Sequence, residues 1–550
     1  MEPEVLQHLG ILSILPPVVT IVLAFIFKDV ILALLFGIFS ATILVTGGDP
    51  FSALCLLADK ITESVNDLGH IHIILFGLLL GGFVSTLGKT GAVKAFGEWA
   101  ARGLKTRTTT LLATFVFGLI IFIDDYFNAL AVGTVMRPVS DRMKISRAKL
   151  AYVIDATAAP VCIMAPISTW IVSIMSIIAS AQGFENLGVT DFGLFIRMIP
   201  YNYYAWTTLL MVVMVVILNR DFGPMKNSEQ KALNDEGLCD EKRYGEVPAP
   251  MENMPDTKAR AFDMVVAFFM LITSAVVAFP LTTWFGAIGT EVAGTQITTF
   301  AQAYAAIPIS SAFAQANASG ALFYAVIFNL VFLYIYLLSR RLIHVKEITP
   351  ALSTGMRMML PAMTILVLAW TIGTTIKSAP ADGGVGLSFY LKSLVLTYNP
   401  PFFLLPLSAF IASCIIAFST GTSYGTMGIM IPITLPIALA MAEAEGITTG
   451  PEQLHIACFA LAAVLGGAVY GDHASPISDT TILCSTGAAC PVLEHFSTQF
   501  WYATFVAICA GIGYLIGSFC GASLLIGWIV TLVCFAVALS IIALRSQKNA

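Results

Sequence analysis

Charge is scarce in this chain: only 11% of its 550 residues are Asp, Glu, Lys or Arg, where a soluble domain carries roughly a quarter. A water-soluble globular protein is thereby excluded. The chain has no C-x-x-C pair, and its cysteines (Cys55, Cys162, Cys414, Cys458, Cys509, Cys520 and Cys534 among them) are scattered through apolar segments. Neither a zinc site nor a disulfide framework is indicated, and these residues read as small buried hydrophobes. No phosphate-cradling P-loop phrase occurs, so nothing points to ATP as the energy source. No basic stretch precedes the first apolar run, so no cleavable signal is expected there. The net charge of -5 is small and spread between loops, which argues against a nucleic-acid partner.

What remains is apolar sequence, 57% of the chain, with a mean hydropathy of +0.86. A bilayer crossing needs about 20 mostly apolar residues as a helix. Such windows fall near 11–27, 29–46, 70–88, 109–136, 150–181, 200–218, 261–281, 320–339, 356–377, 402–442, 454–485, 498–518 and 523–543, with a polar linker at 219–260. An all-α polytopic membrane protein follows.

Basic residues set the topology. Lys89, Lys94, Arg102, Lys105 and Arg107 precede window 109–136, and Arg137, Arg142, Lys144, Arg147 and Lys149 follow it. Both loops are expected inside by the positive-inside rule. A segment that leaves and returns to one side within so few residues is a pair of half-helices, so 109–136 is expected to be a re-entrant hairpin with its tip near Asp124. Window 402–442 is expected to enter from the other side, with its tip at Ser419 to Ser423. About eleven transmembrane helices plus two hairpins result, the N-terminus outside and the C-terminus cytoplasmic. Of 28 Lys and Arg, only Lys60, Arg197, Lys377 and Lys392 then lie outside.

Each hairpin is followed by a long interrupted window: 150–181, broken by Pro160 and Pro166, and 454–485, broken by Gly466, Gly467, Gly471 and Pro476. The breaks share a phrase, Ala165-Pro166-Ile167-Ser168 and Ser475-Pro476-Ile477-Ser478, and the exit arms are expected to end at Pro138 and Pro432. The expected organisation is therefore N-terminal helices (1–69), a first unit (70–218), the cytoplasmic linker (219–260), connecting helices (261–355), a second unit of inverted orientation (356–518) and a C-terminal helix (519–550). Inverted repeats with discontinuous helices point to a secondary transporter whose substrate sits near the midplane.

The chemistry is expected at the interruptions. Asp124 and Asp125 form an acidic pair in apolar surroundings, where a carboxylate costs about 2.5 to 3.5 kcal/mol. A proton and a small cation such as Na+ are alternative ways to relieve their mutual repulsion. The plain alternative is a solvated turn. Asn128 follows on the same arm. Asp155 and Thr157 in the first broken helix, and Ser168 and Thr169 after Pro166, are further candidates, since a helix break frees carbonyls for a cation. Asp155 could equally be a solvated residue near a helix start. Ser419, Thr420, Thr422 and Ser423 offer neutral oxygens at the second tip, although hydroxyls in membrane helices often only satisfy backbone carbonyls. Asp472, His473, Ser478, Asp479 and Thr480 crowd the second break. His473 suits a proton relay, gate or pH sensor better than zinc, because a metal site would need more His or Cys at ligand spacing.

With Phe122-Ile123-Asp124-Asp125-Tyr126-Phe127-Asn128, Val132-Gly133-Thr134-Val135-Met136-Arg137-Pro138, the stretch from Asp155 to Pro160, and Gly471-Asp472-His473 through Ser478-Asp479-Thr480-Thr481, the chain closely resembles the NhaC-type sodium/proton antiporters of the ion-transporter superfamily. The resemblance covers most of the membrane region. It implies exchange of internal Na+ for external protons across the inner membrane without a cofactor, and some similar proteins couple these ions to organic acids or amino acids. The chain departs from the family pattern at Ala316-Asn317-Ala318-Ser319-Gly320, where similar proteins often carry Asn-Ala-Asp or Asn-Ser-Ser before an Ala-Leu run, so that with Ala318 an acid can be lost. The expected partners are membrane lipid, Na+ and H+, with a small organic solute and a homodimer left open. A Na+- or H+-coupled carrier of a small carboxylate or amino acid is the alternative, and an intramembrane aspartyl protease is disfavoured because its two acids would come from separate elements.

Overall fold

The computed structural model describes residues 7–27, 29–247, 258–292, 295–398 and 400–548. The chain's first residues and part of the expected linker (248–257) lie outside them. Among the described residues seven helices are long and apolar enough to cross a membrane, or eight when the pair Asp191–Tyr201 and Tyr203–Leu218, bent by 48°, is taken as one span. The protein is a multi-pass, almost wholly helical membrane protein; a two-stranded ribbon pairs Glu291–Val292 with Thr295–Gln296.

Fourteen helices carry the argument. The first seven are α1 (Leu68–Lys89), α2 (Ala92–Ala101), α3 (Arg107–Ile120), α4 (Asp125–Arg142), α5 (Arg147–Cys162), α6 (Thr169–Ser180) and α7 (Tyr203–Leu218). The second seven are α8 (Val345–Lys377), α9 (Leu387–Tyr398), α10 (Leu404–Thr420), α11 (Ser423–Ala444), α12 (Pro451–His473), α13 (Asp479–Ala488) and α14 (Val492–Phe519). The two sets run in the same order: long helix, short helix, hairpin, helix, break, restarted helix, closing helix. They interlock crosswise. The exit arm α4 packs on α13 of the other set, α11 packs on α6, and α1 lies along α8.

The first hairpin is closed from within. Asn128 of α4 donates through Nδ2 to the carbonyls of Gly118 and Ile121, each at 2.8 Å, so the arms fold back on each other. Its two ends share one face, because Arg107 at the start of α3 donates to the Met143 carbonyl just past α4 at 3.4 Å. The helix Pro224–Leu233 covers that face. Its Glu229 pairs with Arg107 and accepts from the Ser146 amide at 2.8 Å, while Ser228 donates to Glu494 at 2.7 Å. At the opposite end of α14, Ser518 donates to the carbonyl of Phe403 at 2.9 Å, where the second hairpin begins. The two hairpins thus start from opposite ends of the molecule. Within the linker, the hydrogen bond from Lys231 holds the Asp240 carboxyl below the usual carboxylate range.

Several expected interruptions lie elsewhere. Helix α12 runs through Gly466, Gly467 and Gly471 and breaks only at 474–478, around Pro476. The glycines serve packing: a Cβ on Gly467 would meet the Phe410 carbonyl at 2.4 Å, and one on Gly471 the Cys414 carbonyl at 2.6 Å, both on α10. Likewise Pro138 and Pro432 do not end the exit arms but sit inside α4 and α11, and Pro160 sits inside α5. Neighbouring helices and polar side chains re-satisfy the backbone groups that a proline frees in a membrane helix. The N-terminal windows 11–27 and 29–46 give helices of only 13 and 16 residues, separated where Asp29 caps the second.

The second tip turns at Gly421, whose φ of +71° is left-handed and whose missing Cβ would lie 2.6 Å from the Ile477 carbonyl. Left-handed backbone costs a non-glycine residue about 1 to 2 kcal/mol, and the contact adds to it. Gly421→Ala is therefore expected to lower the melting midpoint in detergent, and an unchanged midpoint would refute this role.

Candidate functional site

Four helices start deep inside the protein: α4, α6, α11 and α13. A helix start leaves four amides without partners. The sequence supplies caps. Asp124 accepts from the Phe127 amide at 2.9 Å, Ser168 from Ile171 at 3.2 Å, Thr422 from Gly425 at 3.5 Å and Ser478 from Thr481 at 3.3 Å. The first turns then touch one another, so four positive helix ends meet in one buried place.

At that meeting point lies the first cluster. The Thr169 hydroxyl donates to Asp124 Oδ2 at 3.1 Å, and Trp170 Nε1 donates to Asp125 Oδ1 at 2.9 Å. Thr480 lies 3.2 Å from both Asp125 Oδ2 and Asp472 Oδ2, and its single hydroxyl hydrogen serves one of them at a time. Ser478 also donates to Asp472. Asp124, Asp125 and Asp472 are all buried. The acidic pair is no solvated turn. Among the described residues no three His, Cys, Asp or Glu side chains gather closely enough to hold a metal ion on their own; hydroxyls separate the carboxylates, giving a mixed oxygen site. Asp479 lies at the rim, exposed, and accepts from the Tyr126 hydroxyl at 3.3 Å.

A second cluster forms around Asp155, which is fully buried. Gln499 donates to its Oδ2 at 2.6 Å, and His495 Nε2 lies 3.1 Å from the same oxygen. His473 Nε2 stands 3.9 Å from Oδ1, which has no hydrogen-bond partner within the protein, while His473 Nδ1 meets the Tyr204 hydroxyl at 3.0 Å. Asp155 and His473 are thus brought together, apart from the acidic pair. Asp472 and His473, adjacent on α12, face different clusters, as a regular helix requires.

Several candidates are occupied locally. Thr157 donates back to the Val153 carbonyl at 2.8 Å and fills the space left by Gly118. Asn128 closes the hairpin, and Ser168, besides capping α6, donates to the Cys162 carbonyl at 2.8 Å. Ser419 and Thr420 bond the Ile416 carbonyl one turn back, and Ser423 donates to Ala468 at 3.1 Å. The second tip reaches the site instead through Tyr424, whose hydroxyl donates to Thr169 at 3.3 Å. Sequence reasoning missed Trp170, Tyr126, Tyr424, His495 and Gln499. The tyrosines had a signal, since each is the second residue after a tip cap. His495 and Gln499 lie four apart on one face of α14, but the apolar window opens at 498 and leaves His495 outside it.

Interlocked sets of broken helices, with buried carboxylates and hydroxyls where the breaks meet, suit an ion-coupled transporter. The chain belongs to the Na+/H+ antiporter family, whose model matches residues 161–519. That stretch holds Thr169, Asp472, Asp479 and Thr480, while Asp124, Asp125 and Asp155 precede it. The chain is 34% identical to an uncharacterized protein of Haemophilus influenzae over 92% of its own length and 91% of that protein's. It is 28% identical to an uncharacterized Na(+)/H(+) antiporter of the same organism over 28% of each chain. It is also 34% identical to the malate-2H(+)/Na(+)-lactate antiporter of Bacillus subtilis over 27% of this chain and 28% of that one. A solved structure, the YdaH transporter of Alcanivorax borkumensis, aligns with a TM-score of 0.48 and 12% identity over 87% of this chain and 89% of that one.

Proposed function

We propose that the protein exchanges Na+ for H+ across a bacterial-type inner membrane, driven by ion gradients, with 70–218 and 356–518 as inverted repeats and the 219–260 linker in the cytoplasm. The observation that carries this is the Thr480 hydroxyl set between the carboxylates of Asp125 and Asp472. Buried carboxylates this close need a positive partner. A proton on one of them, or a small hard cation among carboxylate and hydroxyl oxygens, meets the need equally, so one ion is taken up as the other leaves. The basic residues of the linker face, Arg107, Lys144, Arg147 and Lys149, support the cytoplasmic assignment.

A second reading, coupling of Na+ or H+ to a small carboxylate, draws on the four helix starts, which favour an anion where they meet, and on the likeness to the malate/lactate exchanger. Na+-dependent dissipation of a preset pH gradient in proteoliposomes, at two membrane potentials and with or without malate, lactate or amino acids, separates the two. Na+ alone is expected to collapse the gradient. Collapse only in the presence of an organic solute would refute simple exchange and select the coupled carrier.

A further inference from the structure

The hairpins and the restarted helices make one contact twice. In the first, Tyr126, the second residue of α4, donates to Asp479, the first residue of α13, at 3.3 Å. In the second, Tyr424, the second residue of α11, donates to Thr169, the first residue of α6, also at 3.3 Å. Each contact crosses from the tip of one set to the restart of the other. Helix position, partner position and length agree, so the two are symmetry mates.

Their surroundings differ. Tyr424 and Thr169 are buried at 8% and 4% exposure, and Tyr424 packs on the Trp170 ring with centroids 5.0 Å apart. Tyr126 is only half-buried and Asp479 is exposed. The tip lies about 21 Å from the face where the 14-residue α3 begins, at 1.5 Å per residue. A carboxylate at that depth is not left against acyl chains, which would cost about 2.5 to 3.5 kcal/mol, so the exposure of Asp479 is exposure to water. The next residue, Thr480, already touches the buried carboxylates Asp125 and Asp472. On the other side the Thr169 hydroxyl continues to Asp124, and Tyr424 with Trp170 covers it.

We propose that Tyr126–Asp479 and Tyr424–Thr169 are the paired gates of the carboxylate site, both made in this structure, the first at the water's edge and the second buried. Transport alternates which of them is sealed, and Asp479 is the first oxygen an arriving cation meets. This rests on the transport reading above, while its test does not depend on which ion moves.

The experiment uses the full chain with Cys55, Cys239 and Cys520 replaced by Ser, carrying Asp479→Cys or Thr169→Cys and exposed on both sides to a positively charged, membrane-impermeant thiosulfonate. Position 479 is expected to react at least about tenfold faster than position 169, and adding Tyr424→Ala, which removes the ring that covers Thr169, is expected to raise the rate at 169 at least about tenfold. Ile477→Cys, at a 41% exposed position two residues before Asp479, replaces the first probe where Asp479→Cys does not fold. Equal rates at 479 (or 477) and 169, or a rate at 169 indifferent to Tyr424→Ala, would overturn the gates. Labelling as expected in a chain that moves no protons with Na+ keeps the gates and overturns the ion assignment.

Discussion

Asp125→Asn is expected to abolish Na+-dependent proton movement, by about a hundredfold or more, in protein that still folds. The asparagine carbonyl oxygen can accept from Trp170 Nε1 as Asp125 Oδ1 does, and its amide can donate to the Thr480 hydroxyl oxygen in place of Oδ2. Shape and hydrogen bonds are kept, and only the charge and the exchangeable proton are lost. That separates chemistry from packing. Rates of pH-gradient collapse, compared at equal amounts of monodisperse protein, read the result. Full activity in the variant would remove Asp125 from the mechanism.

Asp155→Ala is expected to act on stability first. Asp155 holds Gln499 and His495 on α14 against α5, and its truncation leaves buried polar groups without a partner. Removing one member of such a buried set costs about 3 kcal/mol. The variant should show a clear fall in the melting midpoint in detergent, and Asp155→Asn, which still accepts from Gln499, should recover much of it. A midpoint unchanged by Asp155→Ala would show that His495 and Gln499 find other partners. If Asp155→Asn restores the midpoint but not transport, the carboxylate charge has a role beyond holding the two helices together.

The hairpins could be read from the sequence because their logic is electrostatic and local. Basic residues flank 109–136 on both sides, and Arg107 does meet Met143 on one face. The acidic pair was legible for a similar reason, since nothing else in the 109–136 window is charged. One residue type can have two uses. Gly466, Gly467 and Gly471 look like a break and are a packing surface; Ser419, Thr420 and Ser423, expected to offer oxygens at the tip, donate to carbonyls. Composition cannot tell these apart, because the difference lies in which neighbour arrives. The Asp155 cluster shows the same limit more sharply. Its partners come from α12 and α14, more than three hundred residues away in the chain, and no local pattern announces a contact of that range.

The four helix starts that meet at the site have one more consequence. Their partial positive charge belongs to peptide groups and not to side chains, so no point substitution can delete it, whereas the residues that answer it, Asp124, Asp125, Thr169, Asp479 and Thr480, are each one codon from something else. The fold therefore separates a permanent field from an exchangeable lining. Changes among those residues alter the lining and leave the field of the helix starts in place.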